Sequence, residues 1–198
     1  MKHSMKIGCV AMAAGNAKRF GSNKLAVEFQ GHSLFQHALK AVPAQQFASV
    51  VVVTQFSEFL DVVNDFNFTA FLNKQQDLGL SHTLQLGLSH LQNCDGVLFQ
   101  VADQPLLRQE SISALIAFWQ KQPEKIAALA HSGQRGNPVL FPARFYPELM
   151  AIRGDQGGSA VIRNHPNDLI LLETPEEELF DVDTIQSLEQ LQVWPKQS

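Results

Sequence analysis

From Ala13 to Lys24 the chain reads Ala-Ala-Gly-Asn-Ala-Lys-Arg-Phe-Gly-Ser-Asn-Lys. Small residues let a backbone approach a ligand closely, and glycine admits positive φ. Successive N–H groups in such a loop can form a nest for an anion. Lys18, Arg19 and Lys24 place three positive charges within seven residues, a concentration suited to phosphate. The glycines at 15 and 21 do not make a G-x-G-x-x-G fingerprint. Lys24 neither follows a glycine nor precedes Ser or Thr, so this is not a Walker A loop. A solvated basic turn after a strand is the plainer alternative.

Carboxylates supply the complementary chemistry. Asp103 follows the apolar run Gly96–Val101 and precedes Gln104-Pro105. Its hard oxygens suit Mg²⁺, which keeps several waters and also takes phosphate oxygens. An ordinary turn or N-cap role is the alternative for Asp103. Asp181 and Asp183 alternate around Val182, a spacing that points both to one face of an extended segment. One of them could complete a metal site with Asp103, and Asp183 is the preferred candidate. Asp183 would also serve as the N-cap of the last helix. Ser81 and Thr83 fall at a helix start, where simple N-capping is adequate for either. His82 has no evident acid–base partner and reads as a surface histidine. Neither a Ser-His-Asp nor a Cys-His set is apparent.

Alternating strands and helices must position these groups. Ile7–Ala13 reads as a buried strand. Ser49–Thr54 (SVVVVT) is a β-branched run that is apolar on both faces, as in the middle of a covered parallel sheet. Residues 68–72, Gly96–Val101, 127–130, 138–141 and 169–172 are further strand candidates, with 127–130 and 138–141 joined by the turn-like HSGQRGN. Helical patterns cover residues 33–41, 57–64 with Ser57 as N-cap, 81–91, 110–121 and 183–191. This order predicts a three-layer α/β/α sandwich with a mostly parallel central sheet and right-handed crossovers. Such sheets bind ligands at the carboxyl ends of their strands, where the basic loop and Asp103 both fall.

Length and composition agree. The 198 residues suit one α/β domain, read here as 1–198 with a frayed tail from about 195. The chain is 45% hydrophobic, enough to fill a core, and its net charge of -4 argues against a nucleic-acid partner. Cys9 and Cys94 are two isolated cysteines, too few for a disulfide scaffold or a zinc site, and read as small apolar fillers in a reduced, cytoplasmic setting. The N-terminal stretch superficially resembles a signal peptide. However, its apolar run continues into charge and glycine, so a first core strand is the better reading. No apolar run approaches the ~20 residues of a membrane span.

The loop AAGNAKRFGSNK resembles the (L)AAGxSxRxGxxK signature of the molybdenum-cofactor nucleotidyltransferases. Further similar segments run along nearly the whole chain: Leu78–Gly87 (GxxxSLxxG), Asp103-Gln104-Pro105, Gly133–Phe141 (RGxPVLF), Gly154–Gly158 (GDxGxR) and Phe180–Thr184 (DIDTPEDL). The resemblance implies a Rossmann-like nucleotidyltransferase fold. It implies that Ala13, Ala14, Gly15, Asn16, Lys18, Arg19, Gly21 and Lys24 wrap a nucleoside triphosphate, with Ser81 and Thr83 nearby. Arg19 and Lys24 would neutralise its phosphates, and Asp103 with Asp183 would hold Mg²⁺ or Mn²⁺. Asn137, Gly154, Asp155 and Gly157 would lie on the acceptor side. Ala17 departs from the family's Ser and removes a hydroxyl contact. Ser159 stands where Arg is usual, and Arg153 or Arg163 could substitute. Asn137 stands where many cytidylyl members carry His.

The implied reaction is transfer of a nucleoside monophosphate, with release of pyrophosphate, to the terminal phosphate of molybdopterin or its molybdenum-loaded form. The AAG form of the loop is typical of cytidylyl members, which favours CTP. The implied partners are the nucleotide, the phosphate acceptor, and a molybdoenzyme or its maturation chaperone. The alternatives are a transferase using GTP or a sugar- or alditol-phosphate acceptor, and a non-catalytic cofactor carrier of the same fold. A dinucleotide-dependent dehydrogenase is disfavoured by the glycine spacing.

Overall fold

Strand β1 (Ile7–Ala13) is buried on both faces. Ile7, Cys9, Ala11 and Ala13 point into one apolar cluster and Val10 into the other. A period of two with both faces apolar requires cover on both sides, and helices supply it. The computed structural model describes residues 5–14 and 23–193. After β1 come a short ribbon, β2 (Glu28–Phe29) and β3 (His32–Ser33), and helix α1 (Leu34–Lys40). Then follow β4 (Ser49–Thr54), α2 (Leu60–Asp65), β5 (Thr69–Leu72), α3 (Leu80–Ser89), β6 (Gly96–Val101) and α4 (Gln109–Trp119). The remainder is β7 (Ile126–His131), β8 (Gln134–Pro142), α5 (Tyr146–Ala151), α6 (Ser159–Asn164), β9 (Leu169–Glu173) and α7 (Ile185–Gln192).

Seven strands form the main sheet in the order β5-β4-β1-β6-β8-β7-β9. All neighbouring pairs are parallel except β6 with β8 and β7 with β8, so β8 alone runs against the rest. The sheet is therefore mostly parallel and flanked by helices, as the alternating pattern predicts. α1, α2 and α4 cover one face through residues such as Phe35, Val63, Ile112 and Trp119. α3, α5 and α6 cover the other through Leu84, Leu88, Leu149 and Ile162. Full burial of each large apolar side chain contributes about 1.5–3 kcal/mol.

Three sequence expectations are corrected. The HSGQRGN stretch is not an open loop. The turn is confined to Ser132 and Gly133, both at positive φ, and their N–H groups donate to the Glu173 carboxylate at 2.8 and 2.9 Å. Residues 134–137 thus belong to β8, where Arg135 pairs with Ala130. Ser57 does not cap the second helix. It opens a 3₁₀ turn, Ser57–Phe59, with no side-chain cap, and only Leu60–Asp65 is α-helical. Asp183 does not cap α7. Thr184 does, in a reciprocal capping box with Ser187. Helices α5 and α6 and the β2–β3 ribbon lie in stretches too short to show a period.

Candidate functional site

Parallel pairing aligns strand ends. Met12 sits beside Val53 and Val101, so β1, β4 and β6 finish together at one edge of the sheet. Asp103 lies two residues beyond β6, and its backbone C=O accepts from Val182 N–H at 2.9 Å. That bond draws the 181–183 segment to the sheet edge. Lys24 opens a 3₁₀ turn capped by the side chain of Asn23, which accepts from Leu25 N–H. The Lys24 ammonium donates to Asp103 Oδ2 and to Asp183 Oδ1, both at 2.8 Å. Asp183 is free for this contact because Thr184 has the capping task.

Burial alone would depress the Lys24 pKa, but the carboxylates of Asp103 and Asp183 outweigh it and hold the ammonium above its usual range. Asp181 moves the opposite way from an ordinary carboxylate. Desolvation, then Asp103 and Asp183, raise it to about 6, while a hydrogen bond from Gln104 and the charge of Lys24 act against the rise. Asp103 Oδ1 is buried with no hydrogen-bond partner among the described residues. An unpaired buried carboxylate oxygen is costly unless a ligand completes it.

A cavity of about 180 Å³ opens beside this cluster, lined by Met12, Ala14, Lys24, Leu80, Thr83 and Asp103. Ala13 is buried next to it, and its C=O accepts from the Thr54 hydroxyl at 3.3 Å. The start of α3 borders the same space. Its N-cap is Gly79, with no side-chain cap, so neither Ser81 nor Thr83 is there to cap. Thr83 Oγ1 accepts from Asn73 Nδ2 at 3.0 Å. Ser81 N–H donates to Gly154 C=O at 3.0 Å. Asn73, at the end of β5, is buried and was not singled out from sequence. Its position directly after a strand was the available signal.

Gly79 holds φ 82°, and a Cβ there would stand 2.5 Å from the backbone carbon of Gly154 and 2.6 Å from Asp155 Oδ1. The loop carrying Gly154, Asp155 and Gly157 is thereby clamped to the start of α3. A Cβ on Gly157 would meet Leu80 Cδ2 at 2.9 Å. Asn137 borders a slot of about 120 Å³ that also contacts Met12, Leu80 and Gly157. Arg153 is engaged by the C=O groups of Met150 and Ile152, at 3.1 and 2.8 Å.

The structure thus gathers Ala13, Ala14, Lys24, Ser81, Thr83, Asp103, Asn137, Gly154, Asp155, Gly157 and Asp183 around one sheet edge. Gly15, Asn16, Lys18, Arg19 and Gly21, with Ala17, lie outside the described residues. Among the described residues no three His, Cys, Asp or Glu side chains group as a metal site. The pair Asp103 and Asp183 still fits a divalent ion that takes its other ligands from water and phosphate. They already share one cation, and Asp103 retains an unpartnered oxygen.

The mostly parallel sheet, with cation-bridged carboxylates at its carboxyl edge, is the α/β architecture of nucleotidyltransferases. The chain belongs to the MobA-like NTP transferase domain family, whose model matches residues 9–169. Purine catabolism protein PucB of Bacillus subtilis (strain 168) is 27% identical over 188 residues, spanning 88% of this chain and 90% of PucB. Rv0371c of Mycobacterium tuberculosis H37Rv superimposes with a TM-score of 0.79 at 17% identity, covering 96% of this chain and 98% of that one. A structure of Rv0371c in complex with manganese matches at 0.76, with 94% and 97% covered and 17% identity. CMP:2-keto-3-deoxy-manno-octonic acid synthetase complexed with CTP matches at 0.73, with 14% identity and 94% and 97% covered. Among the described residues no helix is long and apolar enough to cross a membrane.

Proposed function

We propose that this chain is one nucleotidyltransferase domain that transfers CMP from CTP to the terminal phosphate of molybdopterin or its molybdenum-loaded form. The observation that carries the reading is the Lys24 ammonium held between Asp103 and Asp183 beside an unpartnered Asp103 oxygen. In this reaction an acceptor phosphate oxygen bonds to the α-phosphorus, the α–β bridging bond breaks, and pyrophosphate leaves. The nucleophile is already anionic, so no side-chain nucleophile or strong base is required. Charge neutralisation and alignment are what the protein must supply.

In this reading Lys24 and Arg19, with Lys18, offset triphosphate charge. The backbone from Ala13 to Asn16 and Gly21 cradles the phosphates. Ser81 and Thr83 line the nucleotide, and Asn137, Gly154, Asp155 and Gly157 face the acceptor. Asp103 and Asp183 would hold Mg²⁺ or Mn²⁺, which when bound supplies charge neutralisation across phosphate oxygens. The manganese complex of Rv0371c and the CTP complex of the octonic acid synthetase support these choices. A relative named for purine catabolism directs the search for the recipient molybdoenzyme to purine-metabolising enzymes.

The test is pyrophosphate release from CTP, GTP, ATP or UTP with molybdopterin and Mg²⁺. Turnover with CTP and molybdopterin is expected. Preference for GTP, or turnover only with a sugar or alditol phosphate, would move the assignment to the neighbouring specificity. Binding of nucleotides without turnover of any would leave a carrier of the same fold and overturn the enzymatic reading.

A further inference from the structure

Asn73 is 1% exposed and follows β5 directly. Its backbone N–H donates to Thr54 C=O at 2.7 Å. Its Oδ1 accepts from Gln75 N–H at 2.9 Å, and its Nδ2 donates to Thr83 Oγ1 at 3.0 Å. Thr54 ends β4 and donates its hydroxyl to Ala13 C=O at 3.3 Å. One residue thus ties the ends of β5 and β4, and through Thr54 the end of β1, to the opening of α3.

These bonds fix a polarity. A backbone N–H can only donate, so Gln75 determines which atom of the Asn73 amide is oxygen. Nδ2 must then face Thr83, and Thr83 Oγ1 must accept. The hydroxyl keeps one hydrogen to donate. The Thr83 side chain makes no second hydrogen bond among the described residues. Thr83 is 2% exposed and borders the 180 Å³ cavity, so that hydrogen is left for whatever fills it.

Strand order separates the two ends of this cavity. In the order β5-β4-β1-β6, Asn73 and Asp103 follow strands three spacings apart, roughly 14 Å. Thr83, bonded to Asn73, therefore lies toward β5, and Lys24 lies toward β6 with Asp103. Lys24 and Asp103 are the only charged side chains lining the cavity among the described residues. Phosphate charge belongs at their end, which leaves the uncharged end, with Thr83, to the base.

We propose that Asn73 is a positioning residue for nucleotide choice: by donating to Thr83 it holds that hydroxyl as a hydrogen-bond donor toward an acceptor atom of the base. The inference rests on the nucleotidyltransferase reading and deepens it. A base with a ring nitrogen or carbonyl oxygen at that point is favoured. A base N–H there would leave the hydroxyl hydrogen unpaired.

Equilibrium dialysis of the intact protein against CTP, GTP, ATP and UTP with Mg²⁺ measures this choice without turnover. Asn73→Asp is nearly isosteric and still accepts from Gln75, but toward Thr83 it can only accept, which turns the hydroxyl hydrogen away from the cavity. CTP affinity should fall about 5- to 10-fold, and the ratios among the four Kd values should change. A merely structural loss would weaken all four by one factor. Thr83→Val should weaken CTP to a similar degree, and Thr83→Ser should restore most of the affinity. In a Thr83→Val background, Asn73→Asp should cost no more than about twofold further. If the buried carboxylate prevents folding, Asn73→Ala replaces it: freed of its restraint, the hydroxyl should bind CTP about threefold more weakly, with a flatter preference among the four. A uniform loss across the four nucleotides, or unchanged CTP affinity in Thr83→Val, overturns the proposal and leaves the transferase reading standing. Wild-type protein that binds none of the four overturns both.

Discussion

Lys24 and Asp103 are 79 residues apart in the chain and meet at 2.8 Å, Nζ to Oδ2, with the lysine almost wholly buried. The contact joins the end of the basic loop to the end of β6, and through Asp183 it reaches the start of α7. Three distant segments are therefore tied to one ammonium. Replacing Lys24 by Met should leave Asp103 with two unpartnered oxygens in a largely buried position. Stability is expected to fall by about 1–3 kcal/mol, less than a fully buried pair would lose, because Asp183 is solvated. Turnover should fall by about 10²-fold or more. Urea unfolding and pyrophosphate release measure the two effects, and unchanged turnover in a folded Lys24→Met protein would remove Lys24 from the catalytic set.

Metal dependence should appear in binding before it appears in turnover. With Mg²⁺ or Mn²⁺ present, CTP should raise the Tm, by a free energy of about 2.7 kcal/mol at a concentration of a hundred times Kd. Excess EDTA should abolish most of that gain, and Asp103→Asn should do the same without chelator. GTP should stabilise less than CTP. Equal stabilisation with and without the divalent ion would argue against Asp103 and Asp183 as its ligands.

Gly79→Ala should be among the most damaging single-methyl additions to this protein. Its backbone (φ 82°, ψ -171°) is one that L side chains rarely adopt, and the new methyl would meet the Gly154 carbonyl. A cost of about 2 kcal/mol or more is expected from strain and clash combined. Because Gly79 starts α3, residual folded protein should also show a raised KM for nucleotide. Gly31→Ala has an open surrounding at a similar φ. It should cost less, isolating the clash from the backbone strain, and equal losses in the two variants would exclude the clash.

Cys9 is fully buried in the sheet, where desolvation raises its thiol pKa far above the ordinary value, and Cys94 is raised by burial and then by Asp95. Thiolate is the reactive species. Raising pH toward 9 should therefore leave both nearly unlabelled by iodoacetamide in the native protein. Full labelling should appear only in denaturant. Rapid native alkylation of Cys9, read by mass spectrometry, would show that the first strand opens far more readily than its packing implies.

Much of the architecture was legible because its signals are local. The strands Ile7–Ala13, Ser49–Thr54 and Gly96–Val101 are delimited by apolar runs that end in polar or turn residues, and they fold over those bounds. Ser33 caps α1 through a box with Gln36, a pattern readable from spacing. β8 was less legible. Its first residues, Gln134 to Asn137, carry no apolar alternation and become strand only because β7 pairs with them. α6 gave too little length for a period to emerge.

The candidate site divides along the same line. Residue types by themselves determined that this chain carries a cationic, small-residue loop and separate carboxylates suited to phosphate and a hard metal. Those are properties of side-chain charge and size, and they survive in any conformation. Only the tertiary structure decided which carboxylates share a cation. Thr184 took the cap and left Asp183 for Lys24, a competition between two adequate N-cap residues that spacing does not resolve. Among the described residues it likewise left Gln104 Oε1 and Asp103 Oδ1 without partners, and it opened a chamber beside Arg135. Whether a polar atom finds a partner depends on what other segments bring within about 3 Å, and long-range packing sets that.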